Sequence, residues 1–513
     1  MKPSTELFQL IKSLSKSEKR YFKLTSSLQS GEKNYMKLFD AIEEQTEYDE
    51  DAIKNKFKTE TFIKHLPSEK NHLYNLILKS LRGFYADNSA ASILQEQLRN
   101  IELLYNKALY KECTKYIKKA KSIAYQYEKF YFLLDLIDWE KKLIEESYSR
   151  GVFNSNLTEL VKEEGECIEK LNNLAEYQKL YSKINYAIRN KGFTRTVEEE
   201  EIIEEITNHP LIKGKKTALS TKAATACYSI KGMCASTNGN FEETNNNFKK
   251  VIKIMEDNPS IMKELPKRYI KALNSLMYYN LDTNDYDTCF ETINKIKSLK
   301  TATGFESIDS QLSLFTLPYN AELITNLNLG NYDTAVNDVL PKILDGIELY
   351  QGKLSIEDEI LFYYNISRAY FGNEDYKNAL KYINKVLNSN ENMLRQDIFT
   401  FAQLINLIIH YELGNIDLLE YTIKSVKRFI TKKETDHQFE TVFLKNMSKL
   451  IKVKNPDDLT KTIENFRKEL NKVTQDPYQK VALKYFDFIA WLDTKLLKKT
   501  YSELIQGKNH LVS

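Results

Sequence analysis

The sequence has 513 residues, with 74 basic and 71 acidic side chains and a formal net charge of +3. This near balance gives no preference for nucleic acid, and only 11 of the basic residues are arginine, the better ligand for phosphates. No apolar run approaches the ~20 residues that span a bilayer, and the five cysteines are scattered. We therefore expect a cytoplasmic protein with no membrane segment.

Residues 1–90 are predicted to form a helical N-terminal module. Leu7, Leu10, Ile11 and Leu14 repeat at helical spacing, as do apolar residues from Leu73 onwards. The phrase KSEKRYFKL at Lys16–Leu24 is similar to the N-termini of bacterial helical-repeat proteins, a resemblance that implies no activity.

An alternative interpretation gives the N-terminal module a role in binding DNA. Its first thirty residues have a basic bias, and two predicted helices, Asp49–Phe57 and Ser68–Phe84, follow. About ten residues separate these helices, whereas a helix-turn-helix has a turn of 3–4 residues. A solvated basic face is therefore favoured over a nucleic-acid interface, and nucleic acid is not an expected partner. These basic side chains are Lys12, Lys16, Lys19, Arg20 and Lys23.

A short motif then recurs along residues 91–430. It consists of Gly or another turn residue, then Asn or Asp, then an aromatic or aliphatic anchor. The six anchors are Tyr110, Phe241, Tyr286, Tyr332, Tyr376 and Ile416. The intervals between them are 131, 45, 46, 44 and 40 residues, so two degenerate repeats are expected near Phe153 and Phe193. Such a period is typical of stacked repeats.

Each part of the motif has a physical role at a corner between two helices. Gly or Asn tolerates the left-handed conformation that ends a helix, and the following Asn or Asp can cap the next helix. The anchor is predicted to fix the start of that second helix. Three residues later a small side chain, as in Ala335, Ala379, Cys113 and Cys289, would let the two helices approach closely.

The clearest copy, Ile360–Leu387, resembles a tetratricopeptide repeat. Tyr363, Ser367, Tyr370, Tyr376 and Ala379 follow the order of aromatic and small residues in that family. The resemblance implies an all-α fold, an α-solenoid of stacked antiparallel helical hairpins. The period of about 44 residues is longer than the family's ~34, which indicates longer helices. Residues 431–513 are expected to form a helical capping region.

No group of residues indicates catalysis. Cys227 and Cys234 lie seven residues apart, which favours core packing over a metal site, and the six histidines are scattered. The acidic run Val197–Ile206 is interpreted as the solvated side of a helix. We find no phosphate-binding loop, no nucleophile elbow and no zinc motif. The sequence therefore predicts a protein that is not an enzyme and uses no cofactor or metal.

We predict a scaffold or adaptor that binds a protein or peptide segment in a concave groove. In the tetratricopeptide family, residues of the first helix of each pair line this groove. The matching positions in this sequence are Lys271, Asn274, Tyr278, Asn320, Asn328, Tyr364 and Arg368. The tyrosines could instead pack between hairpins. An alternative function is a ligand- or peptide-responsive regulator whose N-terminal module binds DNA or another protein.

Overall fold

The computed structural model describes residues 4–27, 34–149, 157–189, 197–389, 395–431 and 438–510. Across these ranges the backbone forms helices and no strands, which confirms the predicted all-helical fold. In chain order the helices are α1 (Glu6–Ser13), α2 (Lys16–Ser27), α3 (Asn34–Glu44), α4 (Glu50–Lys56), α5 (Leu66–Phe84), α6 (Ala90–Tyr105), α7 (Tyr110–Gln126), α8 (Phe130–Ser149), α9 (Leu157–Arg189), α10 (Val197–Asn208), α11 (Pro210–Lys213), α12 (Thr221–Thr237), α13 (Phe241–Glu256), α14 (Pro259–Glu264), α15 (Pro266–Asp282), α16 (Tyr286–Ser298), α17 (Ile308–Leu329), α18 (Tyr332–Thr334), α19 (Leu340–Leu349), α20 (Ile356–Gly372), α21 (Tyr376–Leu387), α22 (Gln396–Glu412), α23 (Ile416–Thr431), α24 (Gln438–Leu450), α25 (Pro456–Val473), α26 (Pro477–Lys480), α27 (Ala482–Tyr485), α28 (Phe488–Leu497) and α29 (Tyr501–His510). Short 3-10 turns occur at Thr61–His65 and Leu299–Thr301, and a π-helical segment at Ala335–Val339.

The chain divides into two compact units, Met1–Leu171 and Asn172–Ser513. The predicted divisions near residues 90 and 430 stay predictions. The two degenerate repeats expected near Phe153 and Phe193 lie outside the described residues. Among the described residues, no helix combines the length and the apolar character that crossing a membrane requires.

The six predicted corners have a common backbone geometry, and each anchor is the first residue of a helix. The residue two positions before each anchor has a positive φ, between 57° and 78°. These residues are Ala108, Gly239, Asn284, Gly330, Glu374 and Gly414. The residue just before the anchor donates its N–H to the carbonyl five residues back, at 2.8–3.0 Å. This geometry closes the preceding helix in the manner of a left-handed C-terminal cap, and it holds even where the residue is Ala or Glu.

Side chains at the corners act largely as predicted. The carboxylates of Asp285 and Asp375 accept the N–H groups of Thr288 and Asn378, at 3.2 and 3.1 Å, and so cap the second helices. The four small residues three positions after their anchors, Cys113, Cys289, Ala335 and Ala379, are fully buried.

The anchor prediction is wrong at Phe241 and at Ile416, whose side chains are 55% and 38% exposed. A Cβ on Gly232 would lie 2.8 Å from the ring of Phe248. The crossing of α12 and α13 is therefore filled by Phe248, seven residues further along the second helix, and Phe241 lies outside it.

In the second unit, consecutive helices pack in pairs. We term α12, α15, α17, α20 and α22 the A-helices, and the helices that follow them in each pair the B-helices. Each of α13, α16 and α21 packs on its own A-helix and on the next one. The A-helices α15, α17, α20 and α22 also contact one another in order. Apolar cores fill this region, one formed by residues between Phe248 and Ala321 and another by residues between Phe315 and Ile505.

In the first unit, α1, α2, α3 and α5 surround a small apolar core. Ile11, Leu38, Phe39, Leu73 and Ile77 at its centre are fully buried. The helices that follow, α6, α7 and α8, pack sequentially. The helical N-terminal module is therefore built on aliphatic contacts between short helices.

Candidate binding face

The predicted groove residues lie on three consecutive A-helices. Lys271, Asn274 and Tyr278 lie on α15, at spacings of three and four residues that place them on one side of the helix. The other four lie on α17 and α20. Lys271 is exposed, Asn274, Tyr278, Asn328 and Arg368 are half-buried, and Asn320 and Tyr364 are buried.

A chain of polar contacts connects these helices. The Asn365 side-chain amide donates to Oδ1 of Asn320 at 2.8 Å, and Arg368 Nη1 donates to Oδ1 of Asn365 at 3.0 Å. Asn320 is 7% and Asn365 3% exposed. Burial raises the pKa of the Tyr278 hydroxyl, and a hydrogen bond with Asn320 partly offsets this. These hydrogen bonds thus link α17 to α20, and they satisfy polar groups whose burial would otherwise be costly.

Asn365, which joins Asn320 to Arg368, was missed by the sequence interpretation. It lies between apolar residues of α20 and three positions before Arg368, a spacing that places both on one side of the helix. An isolated asparagine within an apolar helix was the signal that could have identified it.

Tyr364 supplies a hydrogen-bond donor to a peptide backbone. Its ring centroid lies 5.9 Å from the guanidinium carbon of Arg368, and its hydroxyl donates to the carbonyl oxygen of Tyr485 at 3.1 Å. Burial raises the pKa of Tyr364, although Arg368 opposes the shift. The hydroxyl therefore stays protonated and remains a donor at neutral pH.

Tyr485 belongs to the C-terminal arm, the term used here for residues 477–510, which comprise α26 to α29. Its ring is stacked on Phe401 of α22, with centroids 4.2 Å apart, and its hydroxyl donates to Oδ2 of Asp397 at 2.7 Å. The next residue, Phe486, has an extended backbone and packs edge-on against Phe371 at 5.1 Å. The arm therefore lies against the A-helices α20 and α22.

The acceptor of the Tyr485 hydroxyl is a paired carboxylate. Burial by itself would raise the pKa of Asp397, but a hydrogen bond and the charge of Arg395 outweigh burial and lower it. Arg395 Nη2 lies 2.7 Å from Asp397. The pKa of Tyr485 is raised by burial and by the neighbouring Asp397. A neutral phenol thus donates to a charged carboxylate, a charge-assisted hydrogen bond.

The middle of the arm is anchored by Trp491, which is 1% exposed. Its indole N–H donates to Oε1 of Glu412 at 2.6 Å, and Lys495 reaches the other oxygen of Glu412 at 2.6 Å. Asp493 pairs with Arg467 of α25 at 2.5 Å. The arm is therefore packed into the core of the same chain beside α20, α22 and α25, with specific polar contacts.

We term the surface formed by Tyr278, Asn320, Tyr364, Arg368, Phe371 and Phe401, together with Lys271 and Asn274, the A-helix face. The arm covers its α20 and α22 part. At α15, Lys484 of the arm pairs with Asp282 at 3.3 Å. Lys271 is exposed two to three turns before Asp282, so this end of the face reaches solvent.

The α15 end of the face is cationic. Arg268 donates from Nη1 to the carbonyl of Lys222 at 3.2 Å and to the Thr225 hydroxyl at 3.0 Å, and its guanidinium lies over the ring of Tyr181 at 5.0 Å. Burial lowers the pKa of Arg268, and Tyr181 opposes the shift. On the same helix, the buried Oδ1 of Asn274 has no hydrogen-bond partner within the described part of the chain.

The cysteines considered for metal binding are packed in the core. All five cysteines are free and buried, and burial raises the pKa of the thiols of Cys113, Cys234 and Cys289. The prediction that Cys227 and Cys234 pack in the core is confirmed. Within the described ranges, no group of three or more His, Cys, Asp or Glu side chains is placed to hold a metal ion.

Three of the basic residues considered for DNA binding contact carboxylates or carbonyls of the N-terminal module. Lys19 and Lys23 lie 3.2 and 2.8 Å from Glu43, and Lys23 also lies 2.9 Å from Asp40. Lys12 donates to the carbonyl of Glu43 at 2.7 Å. These acidic partners reduce the positive potential that a phosphate backbone requires.

No family model matches the chain, and no curated protein or solved structure is significantly similar to it. The interpretation of the A-helix face therefore depends on its own geometry.

Proposed function

We propose that the protein is a non-catalytic scaffold that binds a protein or peptide segment along the A-helix face. One observation carries the proposal: this face already holds a polypeptide segment, the C-terminal arm. Tyr364 contacts the arm through a backbone carbonyl, while Phe371 and Phe401 receive aromatic side chains. Backbone contacts supply affinity for any peptide, and pockets for side chains supply specificity.

The proposed architecture is an α-solenoid similar to tetratricopeptide repeats, with a period of about 44 residues. The common corner geometry and the packing of each B-helix on two successive A-helices support it. A single helical pair cannot bury both of its flanks, so stacking gives each pair the missing contact. The A-helices would then share one side of the stack, where a partner segment can extend over several repeats.

The open part of the face indicates the chemistry of the partner. Around α15 the exposed cations are Lys267 and Lys271, and Lys267 pairs with Asp309 at 2.7 Å. The half-buried Arg268 contacts the Thr225 hydroxyl and the Tyr181 ring, and no carboxylate of the described residues lies within ion-pair distance of Arg268 or Lys271. A carboxylate from a partner would form a charge-assisted hydrogen bond there. We propose an acidic segment of a protein as the partner at this end, in a cytoplasmic setting that suits five free cysteines.

The regulator with a DNA-binding N-terminal module remains the second hypothesis. The pairing of Lys12, Lys19 and Lys23 within the module weighs against it. Salt-dependent binding of duplex DNA by the full-length chain would support it, because phosphate contacts release counterions.

Affinity capture from the source cells tests the proposal. The tagged full-length chain is compared with Lys271→Glu on the A-helix face and with Lys253→Glu, an exposed lysine on the B-helix α13. We expect at least about a fivefold loss of the captured partner for Lys271→Glu, the effect of a charge reversal at an acidic contact. Lys253→Glu should capture as much as the unaltered chain. Equal capture by both variants would contradict the proposed face.

A further inference from the structure

The terminal helix α29 is attached to the rest of the arm by an exposed connection. Lys498, Lys499 and Thr500 are all exposed, and Lys498 has a positive φ of 51°. In α29 itself, Tyr501 and Ile505 are the buried apolar residues, at 6% and 9% exposure. Leu504 is partly buried against the same core, and Lys508 pairs with Asp487 at 2.5 Å. The helix is therefore held by one apolar side of about one turn and by one ion pair.

Tyr501 occupies an aromatic pocket, termed here the latch pocket, formed by Tyr332, Phe371 and Phe486. The ring of Tyr501 lies 5.7 Å from Tyr332, 5.4 Å from Phe371 and 5.3 Å from Phe486, measured between centroids. All three pocket residues are at most 5% exposed. Edge-on and stacked rings at these distances are favourable contacts, so the pocket fits an aromatic side chain.

A backbone carbonyl beside the latch pocket fixes the register of α29. The oxygen of Gly330 accepts the Ser502 hydroxyl at 2.7 Å and the Gln506 amide at 3.1 Å. Gly330 caps the end of α17 in the left-handed conformation, so no following turn of that helix covers its oxygen. Two uncharged groups, one and five residues after Tyr501, therefore donate hydrogen bonds to this carbonyl oxygen.

The two helices of the arm differ in how firmly they are buried. In α28, Phe488, Trp491 and Leu492 are at most 1% exposed. Releasing α28 would expose these three side chains, whereas releasing α29 would expose Tyr501, Leu504 and Ile505 and open the latch pocket at one side of the same core. Local opening concentrates where few apolar contacts must break. α29 is therefore the part of the arm that can leave the A-helix face while the rest stays folded.

We propose that α29 is a removable latch, and that the partner of the A-helix face carries an amphipathic helix that replaces it in the latch pocket. This inference rests on the proposed scaffold function. The resident helix defines the chemistry of the replacement. It needs an aromatic residue at one position, an aliphatic residue four positions later, and uncharged donors at the next position after each of them.

The latch makes partner affinity depend on the stability of α29. A ligand that binds only the open form has an apparent dissociation constant equal to its intrinsic value divided by the open fraction. Any change that weakens the latch therefore tightens partner binding by the same factor. Any change that strengthens the latch weakens partner binding.

A labelled peptide of residues 497–510, LKKTYSELIQGKNH, tests this in trans against the full-length chain by fluorescence anisotropy. Gln506→Glu in the chain places a carboxylate next to the Gly330 carbonyl and should tighten peptide binding about fivefold or more. Gly507→Ala should weaken it about threefold, because alanine favours the helix. Gly507 is exposed and has nothing within 4 Å of an added Cβ, so this change adds no clash.

A peptide carrying Tyr501→Ala and Ile505→Ala is the matched control and should not bind. Hydrogen exchange should show faster exchange at residues 501–508 in Gln506→Glu and unchanged exchange in α28. The latch would be overturned if the labelled peptide bound the unaltered chain, Gln506→Glu and Gly507→Ala with equal affinity. Binding of the control peptide would also overturn it. A concentration-dependent dimer of Gln506→Glu would also overturn it, because a second copy would then be the occupant. None of these results depends on the cellular partner, so the capture experiment can succeed while the latch fails.

Discussion

The N-terminal module and the C-terminal arm are both helical, but different interactions stabilise them. The module has a small, mostly aliphatic core and many ion pairs at its surface, such as Lys70 with Glu50 at 2.9 Å. The arm is held by stacked aromatic rings and by polar groups that lie against the A-helix face, such as Trp491 on Glu412. Ion pairs also hold the arm, such as Lys495 with Glu412 and Asp493 with Arg467, so the stability of both regions should respond to pH and salt. The stability of the arm, with its buried rings, should respond more strongly to lost volume and lost hydrogen-bond partners.

The largest expected effect is at the centre of the arm. Trp491→Ala should reduce the free energy of unfolding of the Asn172–Ser513 unit by about 3–5 kcal/mol, because it removes a fully buried indole. Trp139 of α8, which is half-buried in the first unit, is the matched control. Trp139→Ala should reduce the free energy of unfolding of its own unit by less. Hydrogen exchange in α22, α25 and α28 measures the change. A loss below about 1 kcal/mol would contradict the role of Trp491 as an anchor.

The polar chain on the A-helix face should show the next largest effect. Asn365→Ala leaves Asn320 and Arg368 without their shared partner and should cost about 2 kcal/mol. The exposed Asn337, which donates to Asp333 at 2.7 Å, is the control, and Asn337→Ala should change stability by less than about 0.5 kcal/mol. Urea unfolding of both variants measures this difference. An equal loss of stability in Asn365→Ala and Asn337→Ala would show that the hydrogen bonds between Asn320, Asn365 and Arg368 add no stability.

The N-terminal module should lose stability in acid through Glu50. Burial by itself would raise the pKa of Glu50, but hydrogen bonds from Lys70 and Lys54 outweigh burial and lower the pKa to about 2. Because the folded pKa lies below the unfolded value near 4.5, the stabilisation is complete above pH ~4.5 and is lost as the pH falls towards 2. Glu50→Gln should lower stability at pH 7 by about 1–2 kcal/mol and flatten the profile in that window. Unfolding curves between pH 7 and pH 3 measure how the free energy of unfolding depends on pH. The same dependence in Glu50→Gln as in the unaltered chain would contradict the role given to Glu50.

The smallest effect is expected at the exposed ion pairs of the module. Lys23→Gln should cost about 0.5 kcal/mol or less, because Lys23 is 42% exposed and its pairs with Asp40 and Glu43 are screened by salt. Duplex DNA at low salt should bind the unaltered chain and Lys23→Gln equally poorly. Tight DNA binding that Lys23→Gln weakens would instead favour the regulator hypothesis.

Local features of the fold could be predicted from the sequence, whereas long-range contacts could not. The corners were predictable because a left-handed residue, a capping residue and an anchor occupy three consecutive positions, as at residues 284–286. The backbone at Glu374 shows that this geometry does not require glycine. The contact of Tyr364 with Tyr485 joins residues 121 positions apart, and no periodicity encodes it. Asn365 was missed for the same reason, since its partner Asn320 lies on another helix.

Site-specific photo-crosslinking in the source cells tests the central claim most directly. A photoreactive amino acid is placed at Lys271 on the A-helix face or at Lys253 on α13, and adducts are identified by mass spectrometry. A scaffold that binds its partner along the A-helix face predicts a defined protein adduct at position 271 and none at position 253. Adducts of equal yield at both positions, or an adduct at position 253 alone, would contradict the account.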